Sequence, residues 1–365
     1  MTAFVESCVV TAADSAAAAV RKSRGRPAIR KLLRLLAGKK QILVTTHLHP
    51  DPDALASSVA MMALLSQKFP DATVSMSVKG KIGGGLNDAF VRYTDLKLVP
   101  WDDDNLAHYD AIILLDTQPA FAYSPLPEGT LPLAVIDHHR GRGRRAKVPF
   151  SDIRPEVGAA ASIVFSYFME LEVAIRPDLA ATLLYGIESD LAGAAGSPGE
   201  LDNIALSSLT LIADPRKIYR MRYVDLPRSY YIAYAHALNN AVVYDNVLIS
   251  HLEMIESLEM PAVLADFLLR LDKMDWTMVS AIHDSKLIIS LRTSDSKISA
   301  GDIARRLVRG LGEGGGHRAK AGAYITLQTN SPAEIEKLRA KLRKRFLRLQ
   351  HISSSRGQRL IAKEN

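Results

Sequence analysis

Four short stretches place carboxylates and imidazoles where strands or helices run out into loops. "HLHPDPDALASS" offers His47, Asp51 and Asp53, "AIILLD" ends on Asp116, "LAVIDHH" ends on Asp137, His138 and His139, and "YGIESD" ends on Asp190. Each has an ordinary explanation when taken alone. Asp-Pro pairs favour turns, an Asp ahead of an apolar run caps a helix, and a carboxylate closing a strand binds loop amides. Four of them in one half of the chain weigh against coincidence. Carboxylates and imidazoles in this ratio, without a thiolate, suit manganese or magnesium, with iron, cobalt or zinc as substitutes. So many carboxylates would repel one another without cations, which makes two divalent ions the economical arrangement.

The elements around these stretches say how they are positioned. "QILVTT" reads as a buried strand and "ALASSVAMMALLSQKF" as a helix, so the first acidic stretch is a strand-to-helix loop. In an open α/β sheet, ligands bind at the carboxyl ends of strands, where a helix N-terminus adds partial positive charge. "ATVSMSV", "YDAIILLDT" and "LPLAVIDHH" read as further strands between turn-rich or helical segments. That alternation predicts an α/β fold with a doubly wound, mainly parallel sheet, covered by helices such as "VGAAASIVFSYFMEL" and "DLAATLLYGIESDLAG". Downstream, a Tyr-rich helical stretch, "PRSYYIAYAHALNN", leads into strands and helices of a second, smaller α+β domain. The expected organisation is a basic, helical N-terminal extension over 1–40, a catalytic domain over 41–212 and a helical linker over 213–240. A substrate-binding domain over 241–350 and a basic tail over 351–365 complete it.

Composition bounds the rest. The 365 residues are 48% hydrophobic and 23% charged, enough for two domains with ordinary cores. A single cysteine, Cys8, rules out a disulfide framework and a cysteine-based zinc ribbon, and it fits a reducing compartment. The opening carries Glu6 and Asp14 without a positive start, and no apolar run approaches bilayer-spanning length, so a cytoplasmic protein without a membrane partner is expected. The formal charge of +7 favours an anionic partner. Two basic clusters, "RKSRGRPAIRKLLRLLAGKK" and "KLRAKLRKRFLRLQ", have apolar residues at helical spacing and read as amphipathic helices with solvated basic faces. The third, "HRGRGRRAK", has glycines in place of that stripe, which leaves Arg142, Arg144 and Arg145 able to reach a phosphate.

With "HLHPDPDA", "LLDT", "VIDHH" and "ESD" in this order, followed by "GGGHRAKAGA", the chain resembles the DHH phosphoesterases, and among them the bifunctional oligoribonuclease and 3'-phosphoadenosine-5'-phosphate phosphatase group. The resemblance implies that His47, Asp51 and Asp116 hold one metal ion, and that Asp53, Asp116, His138 and Asp190 hold the other, with Asp116 bridging. Two such ions, manganese above all and magnesium or cobalt as substitutes, would share a water that attacks phosphorus in line. His139 is then the donor to the phosphate or leaving oxygen, and Asp137 orients a ligand histidine. In the second domain, Gly314, Gly315 and Gly316 form a glycine-rich loop whose amides approach an anion, with His317 and Arg292 as side-chain donors. The substrate is expected between the two domains.

The resemblance implies hydrolysis of short oligonucleotides to nucleoside 5'-monophosphates, or of the bisphosphorylated nucleotide to AMP. A compact C-terminal site that grips one or two nucleotides implies that longer strands gain no extra contacts, and the oligonucleotide-binding barrel that would give a RecJ-type exonuclease its stacking and electrostatic platform is not evident. Other readings are a RecJ-type exonuclease, hydrolysis of dinucleotides or pyrophosphate, and a catalytically silent nucleotide-binding regulator. A homodimer is admissible. Pro52, Ala56 and Lys320 depart from the family pattern.

Overall fold

Short runs of Ile, Leu and Val, apolar on both faces, assemble into a parallel sheet. The computed structural model describes residues 28–80, 82, 87–141, 147–191, 198–295, 297–316, 318–329, 331–353 and 356–361. These fall into two units that divide after Val224.

In the first unit, β1 (Gln41–Thr45), β2 (Thr73–Met76), β3 (Ala111–Leu115), β4 (Ala134–Asp137) and β5 (Phe150–Ile153) lie in the order β2-β1-β3-β4-β5, all parallel. Its helices are α1 (Ala28–Leu36), α2 (Pro52–Lys68), α3 (Asn87–Tyr93), α4 (Ala160–Glu170), α5 (Pro177–Leu191), α6 (Glu200–Ile212) and α7 (Pro215–Arg222). Parallel strands must be covered on both faces. One face is buried by the helical layer, in a core that takes Ile42, Val44, Ile113 and Ile136 from the strands and Leu55, Met61, Phe165 and Leu184 from the helices. The other face carries a thinner cover, in which Leu43 and Ile112 meet Leu106, Trp101, Tyr109 and Leu126. Helix α1 places Ile29, Leu32 and Leu36 in the core and leaves Arg30, Lys31 and Arg34 exposed, so its basic residues are a solvated face. The rest of the N-terminal extension, residues 1–27, lies outside the described residues.

The second unit is a mixed sheet of β6 (Val242–Tyr244), β7 (Val247–Met254), β8 (Trp276–His283), β9 (Lys286–Thr293), β10 (Glu313–Gly316), β11 (Lys320–Thr326) and β12 (Gln358–Arg359). The order is β10-β11-β9-β8-β7-β6-β12, antiparallel except between β7 and β8. On one face, α10 (Ala300–Leu307) and α11 (Pro332–Leu349) bury Trp276, Met278 and Leu291 with Ile303, Leu342 and Phe346. On the other, α8 (Arg228–Asn239) and α9 (Met260–Leu268) bury Leu248, Val279 and Ala281.

Three expectations change. Residues 213–240, read as one linker, form α7 and α8, which belong to different units. The basic tail is not all tail, because Gln358 and Arg359 pair with Val243 and Val242 as an edge strand. Gly314, Gly315 and Gly316 are strand residues of β10, paired with Ala323, Gly322 and Ala321. Glycine is a poor strand former, and close packing explains its use here. A Cβ on Gly301 of α10 would meet the Gly316 carbonyl oxygen at 2.3 Å, and one on Gly314 would meet the Ala304 backbone at 3.0 Å. Among the described residues no helix is long and apolar enough to cross a membrane.

Candidate metal centre

Strands β1, β3 and β4 are neighbours, so their carboxyl ends deliver His47, Asp116 and the Asp137–His139 run side by side. The chain passes to β2 on one side of β1 and returns to β3 on the other, and such a reversal opens a crevice at the strand ends. Helix α2 begins there. Pro52 occupies the first turn, where a missing N–H costs nothing, and the Asp51 carboxylate caps it by accepting from Ala54 N at 3.0 Å. Asp116 sits just past β3 with φ +55°, a left-handed conformation that Asp tolerates better than most residues.

Asp190 arrives from the last turn of α5, which crosses α2 at close range. A Cβ on Gly186 would lie 2.6 Å from the Ala56 Cβ and 3.1 Å from the Pro52 carbonyl oxygen. The absence of a side chain at 186 therefore sets how near Asp190 comes to Asp53.

The side chains converge on Asp116. Its Oδ2 is 3.5 Å from His47 Nε2, and its Oδ1 is 3.2 Å from His138 Nε2 and 3.6 Å from His139 Nδ1. His138 Nε2 is also 3.5 Å from Asp190 Oδ2. Ligand atoms of His47, Asp51 and Asp116 lie within 4.8 Å of one another, as do those of Asp53, His138 and Asp190, and those of Asp116, His138 and His139. His47 Nδ1 donates to the Leu48 carbonyl at 2.8 Å, and His138 Nδ1 donates to the Val157 carbonyl at 3.3 Å. A carbonyl on one ring nitrogen fixes the tautomer and presents the other nitrogen, the arrangement metal-ligating histidines adopt.

Burial disfavours charge on Asp116, yet hydrogen bonds from His138 and His47 hold its carboxyl well below the usual range. Burial likewise opposes charge on the histidines, but the Asp116 carboxylate outweighs it, taking His47 up to about 9 and His138 well above its ordinary value. Burial, then the neighbouring Asp116, pushes Asp51 and Asp53 upward. A cation entering this cluster competes with protons on the two histidines. It also has a place to bind, because the buried Asp116 Oδ1 faces only the imidazoles of His138 and His139, at 3.2 and 3.6 Å, and the donor set is carboxylate and imidazole only. The residues present fit a pair of divalent ions.

Asp53 and Asp137 each make contacts beyond the role expected from the sequence. Asp53 is fully buried, and its two oxygens accept from Ala160 N at 2.7 Å and Ala161 N at 2.8 Å, so it also anchors the start of α4. Asp137 bonds to His139, itself beside Asp116, and not to His47 or His138. Its Oδ1 is 2.7 Å from His139 Nδ1 and accepts from His139 N at 3.1 Å.

Two residues not singled out in the sequence complete the support. Gln118 donates to Asp137 Oδ2 at 2.8 Å and to the His139 carbonyl at 3.0 Å. Asp202, fully buried, accepts from Gly158 N at 2.7 Å and Gly199 N at 2.8 Å, fixing the turn whose Val157, Ala160 and Ala161 hold His138 and Asp53. The signal for Asp202 was an acid three residues after a glycine at a helix start.

In the second unit, Arg292 has a role within the fold that the sequence did not suggest. It is buried, with Nε donating to Asp266 Oδ1 at 2.7 Å and Nη1 to Ser290 Oγ at 2.9 Å and the Leu291 carbonyl at 3.0 Å. Two of its nitrogens are thus engaged within the fold rather than offered to an anion. Lys320 is its partner in register on β11. Arg142, Arg144, Arg145 and His317 lie outside the described residues.

Comparison with known proteins assigns these features to two domains. Residues 41–187 match the DHH family, N-terminal domain, and residues 245–347 match the DHHA1 domain. An uncharacterized protein of Methanocaldococcus jannaschii is 32% identical over 290 residues, 79% of this chain and 59% of that protein. A probable bifunctional oligoribonuclease and PAP phosphatase of Streptococcus mutans is 26% identical over 189 residues, 51% of this chain and 54% of the relative. The chain thus spans little more than half the length of these curated relatives. The crystal structure of an exopolyphosphatase-related protein from Bacteroides fragilis superposes with a TM-score of 0.69 at 19% identity, covering 88% of this chain and 97% of that one, which shows a shared fold. The chain thus carries a DHH N-terminal domain, which holds most of the Asp116 cluster, and a DHHA1 domain, which holds the glycine strand.

Proposed function

We propose that the protein is a divalent-metal-dependent phosphoesterase that hydrolyses short oligonucleotides to nucleoside 5'-monophosphates and 3'-phosphoadenosine-5'-phosphate to AMP. The observation that carries this reading is the pair of ligand groups, His47/Asp51/Asp116 and Asp53/His138/Asp190, joined through the 3.2 Å approach of Asp116 and His138. Two ions there, manganese in our reading, would supply Lewis-acid stabilisation and water of lowered pKa for in-line displacement. His47, Asp51 and Asp116 would hold one, and Asp53, Asp116, His138 and Asp190 the other.

The remaining residues handle the proton. Asp137 keeps His139 with its proton on Nδ1, and Gln118 locks the carboxylate in place. His139, held by Asp137, would donate to the phosphate or leaving oxygen as the P–O bond breaks. The second unit would recognise the nucleotide with the amides of Gly314, Gly315 and Gly316, with His317, and with a remaining donor of Arg292. Arg142, Arg144 and Arg145 would meet a phosphate. We place the reaction in the cytoplasm, in keeping with the single cysteine of the chain.

The similarity to a probable oligoribonuclease and PAP phosphatase supports the substrate class. The test is a manganese-dependent time course on 5'-labelled RNA of about two to seven nucleotides, a length range set by the short-substrate reading, with Asp116→Ala as control. Mononucleotide release that is absent in the control is expected. No release on any length, with bisphosphonucleotide also untouched, would sink the proposal.

A further inference from the structure

Helix α7 carries a face that the candidate centre does not use. Arg216, Tyr219, Arg220 and Tyr223 stand at i, i+3, i+4 and i+7, which places them on one side of the helix. All four are exposed, Tyr219 by 63% and Tyr223 by 68%, while Ile218 and Met221 bury the opposite side in the core. The two tyrosine rings lie 4.8 Å apart, tilted by 32°. Arg220 stands over the ring of Tyr93 in α3 at 5.5 Å, so a third aromatic flanks the stripe. Within α7 the charged residues are Arg216, Lys217, Arg220 and Arg222, with no acid among them.

We propose that this face binds single-stranded nucleic acid, with bases stacking on Tyr219 and Tyr223 and phosphates meeting Arg216 and Arg220. A strand alternates flat, sequence-tolerant π surfaces with negative charges, and the stripe alternates rings with guanidinium groups. Seven residues of helix rise by about 10 Å, and stacked nucleotides advance about 3.4 Å each along one strand, so the stripe matches about three nucleotides. A protein partner also favours tyrosine and arginine. The uniform positive charge of the helix and the absence of an aliphatic residue from the stripe favour a polyanion.

The location suits a substrate longer than a dinucleotide. Arg222 pairs with Glu188 of α5, two residues before Asp190, and both helices belong to the first unit. A strand with its end at the candidate centre would have this platform on the same unit. On this reading, chains beyond two nucleotides gain contacts that a compact second-domain site alone would not give them. Only the link to catalysis rests on the phosphoesterase reading.

The experiment is fluorescence anisotropy of 5'-labelled hexa-adenylate with the full chain in EDTA, which prevents cleavage, at several salt concentrations. Two lost stacks at the low end of base–aromatic strength predict that the Tyr219→Ala/Tyr223→Ala variant binds about 30-fold more weakly. Tyr219→Phe/Tyr223→Phe, which keeps both rings, should retain wild-type affinity. Arg216→Ala/Arg220→Ala should lower the slope of log affinity against log salt by about 1.4, for two phosphates on a single strand. Alanine variants that bind the hexamer within about twofold of wild type would overturn the proposal, since lost stacking must cost more than that. So would a change in sedimentation on Tyr219→Ala/Tyr223→Ala with binding unaltered, which would assign the face to a protein contact. A manganese hydrolysis assay on wild type, run in parallel, separates failure of the phosphoesterase reading from failure of the platform.

Discussion

Replacing Asp202 with alanine tests how the candidate centre is held from outside its own side chains. The carboxylate Oδ2 accepts from Gly158 N at 2.7 Å and from Gly199 N at 2.8 Å, while Oδ1 is buried without a partner. A hydrogen bond to a charged acceptor contributes about 1.5–3 kcal/mol, and a buried unpaired polar atom costs about 1–3 kcal/mol. Removing the carboxylate loses two of the former and relieves one of the latter, leaving a net loss of about 3 kcal/mol.

The loss falls on one turn. Val157 precedes Gly158 and holds His138, and Ala160 and Ala161 follow it and hold Asp53. Loosening it should also weaken metal binding, by about 10- to 100-fold as for other outer partners of metal ligands. Urea unfolding followed by circular dichroism reads the first quantity, and manganese titration followed by electron paramagnetic resonance reads the second. Asp202→Asn, which keeps one oxygen, should fall between alanine and wild type in both. An unchanged unfolding midpoint would refute the energetic argument. A lowered midpoint with unchanged manganese affinity would refute the relay.

Other consequences are as direct. Gly186→Ala gains about 1 kcal/mol of helix propensity but overpacks the contact with Ala56, which costs about 1–3 kcal/mol. It should therefore destabilise, and Gly186→Ala/Ala56→Gly, which moves the methyl across the contact, should recover most of the unfolding midpoint. Arg292→Ala should lower stability by about 2 kcal/mol with no substrate present, whereas a residue used only for substrate would leave the melting curve unmoved. His251 of β7 is held down to about 3 by burial and then by Arg339 and Arg343. Its ordinary value is about 6.5, so the unfolded chain takes the proton first, and stability is lost as pH falls from about 6.5 towards 3 at no more than about 1.4 kcal/mol per unit. His251→Gln should flatten that part of the curve of unfolding midpoint against pH.

The parts of the site that the sequence exposes are those whose position follows from strand ends. His47, Asp116 and His138 each follow an apolar run, and a parallel sheet brings neighbouring run ends together. Asp190 follows a helix instead, so its residue type marked it as a candidate, but which ligands it joins came only from the resemblance. Asp202 carried only the local signal of a helix start, and its hold on Gly158 N, 44 residues away, was illegible. Gly314, Gly315 and Gly316 were read as a loop because glycine disfavours strands in general. Here the need to bring α10 against β10 outweighs that preference, since a Cβ on Gly301 would strike Gly316. The β12 strand has two exposed polar residues and no periodicity to reveal it. Tyr219 and Tyr223 were legible as tyrosines, but their place on one exposed face depended on which side of α7 the core takes.

The most direct test of the account is where manganese goes. Crystals of the full chain grown with Mn2+ and measured near the manganese edge should show two anomalous peaks. One is expected among His47, Asp51 and Asp116, and the other among Asp53, His138 and Asp190, with Asp116 touching both. A single peak, or manganese bound away from Asp116, would contradict it.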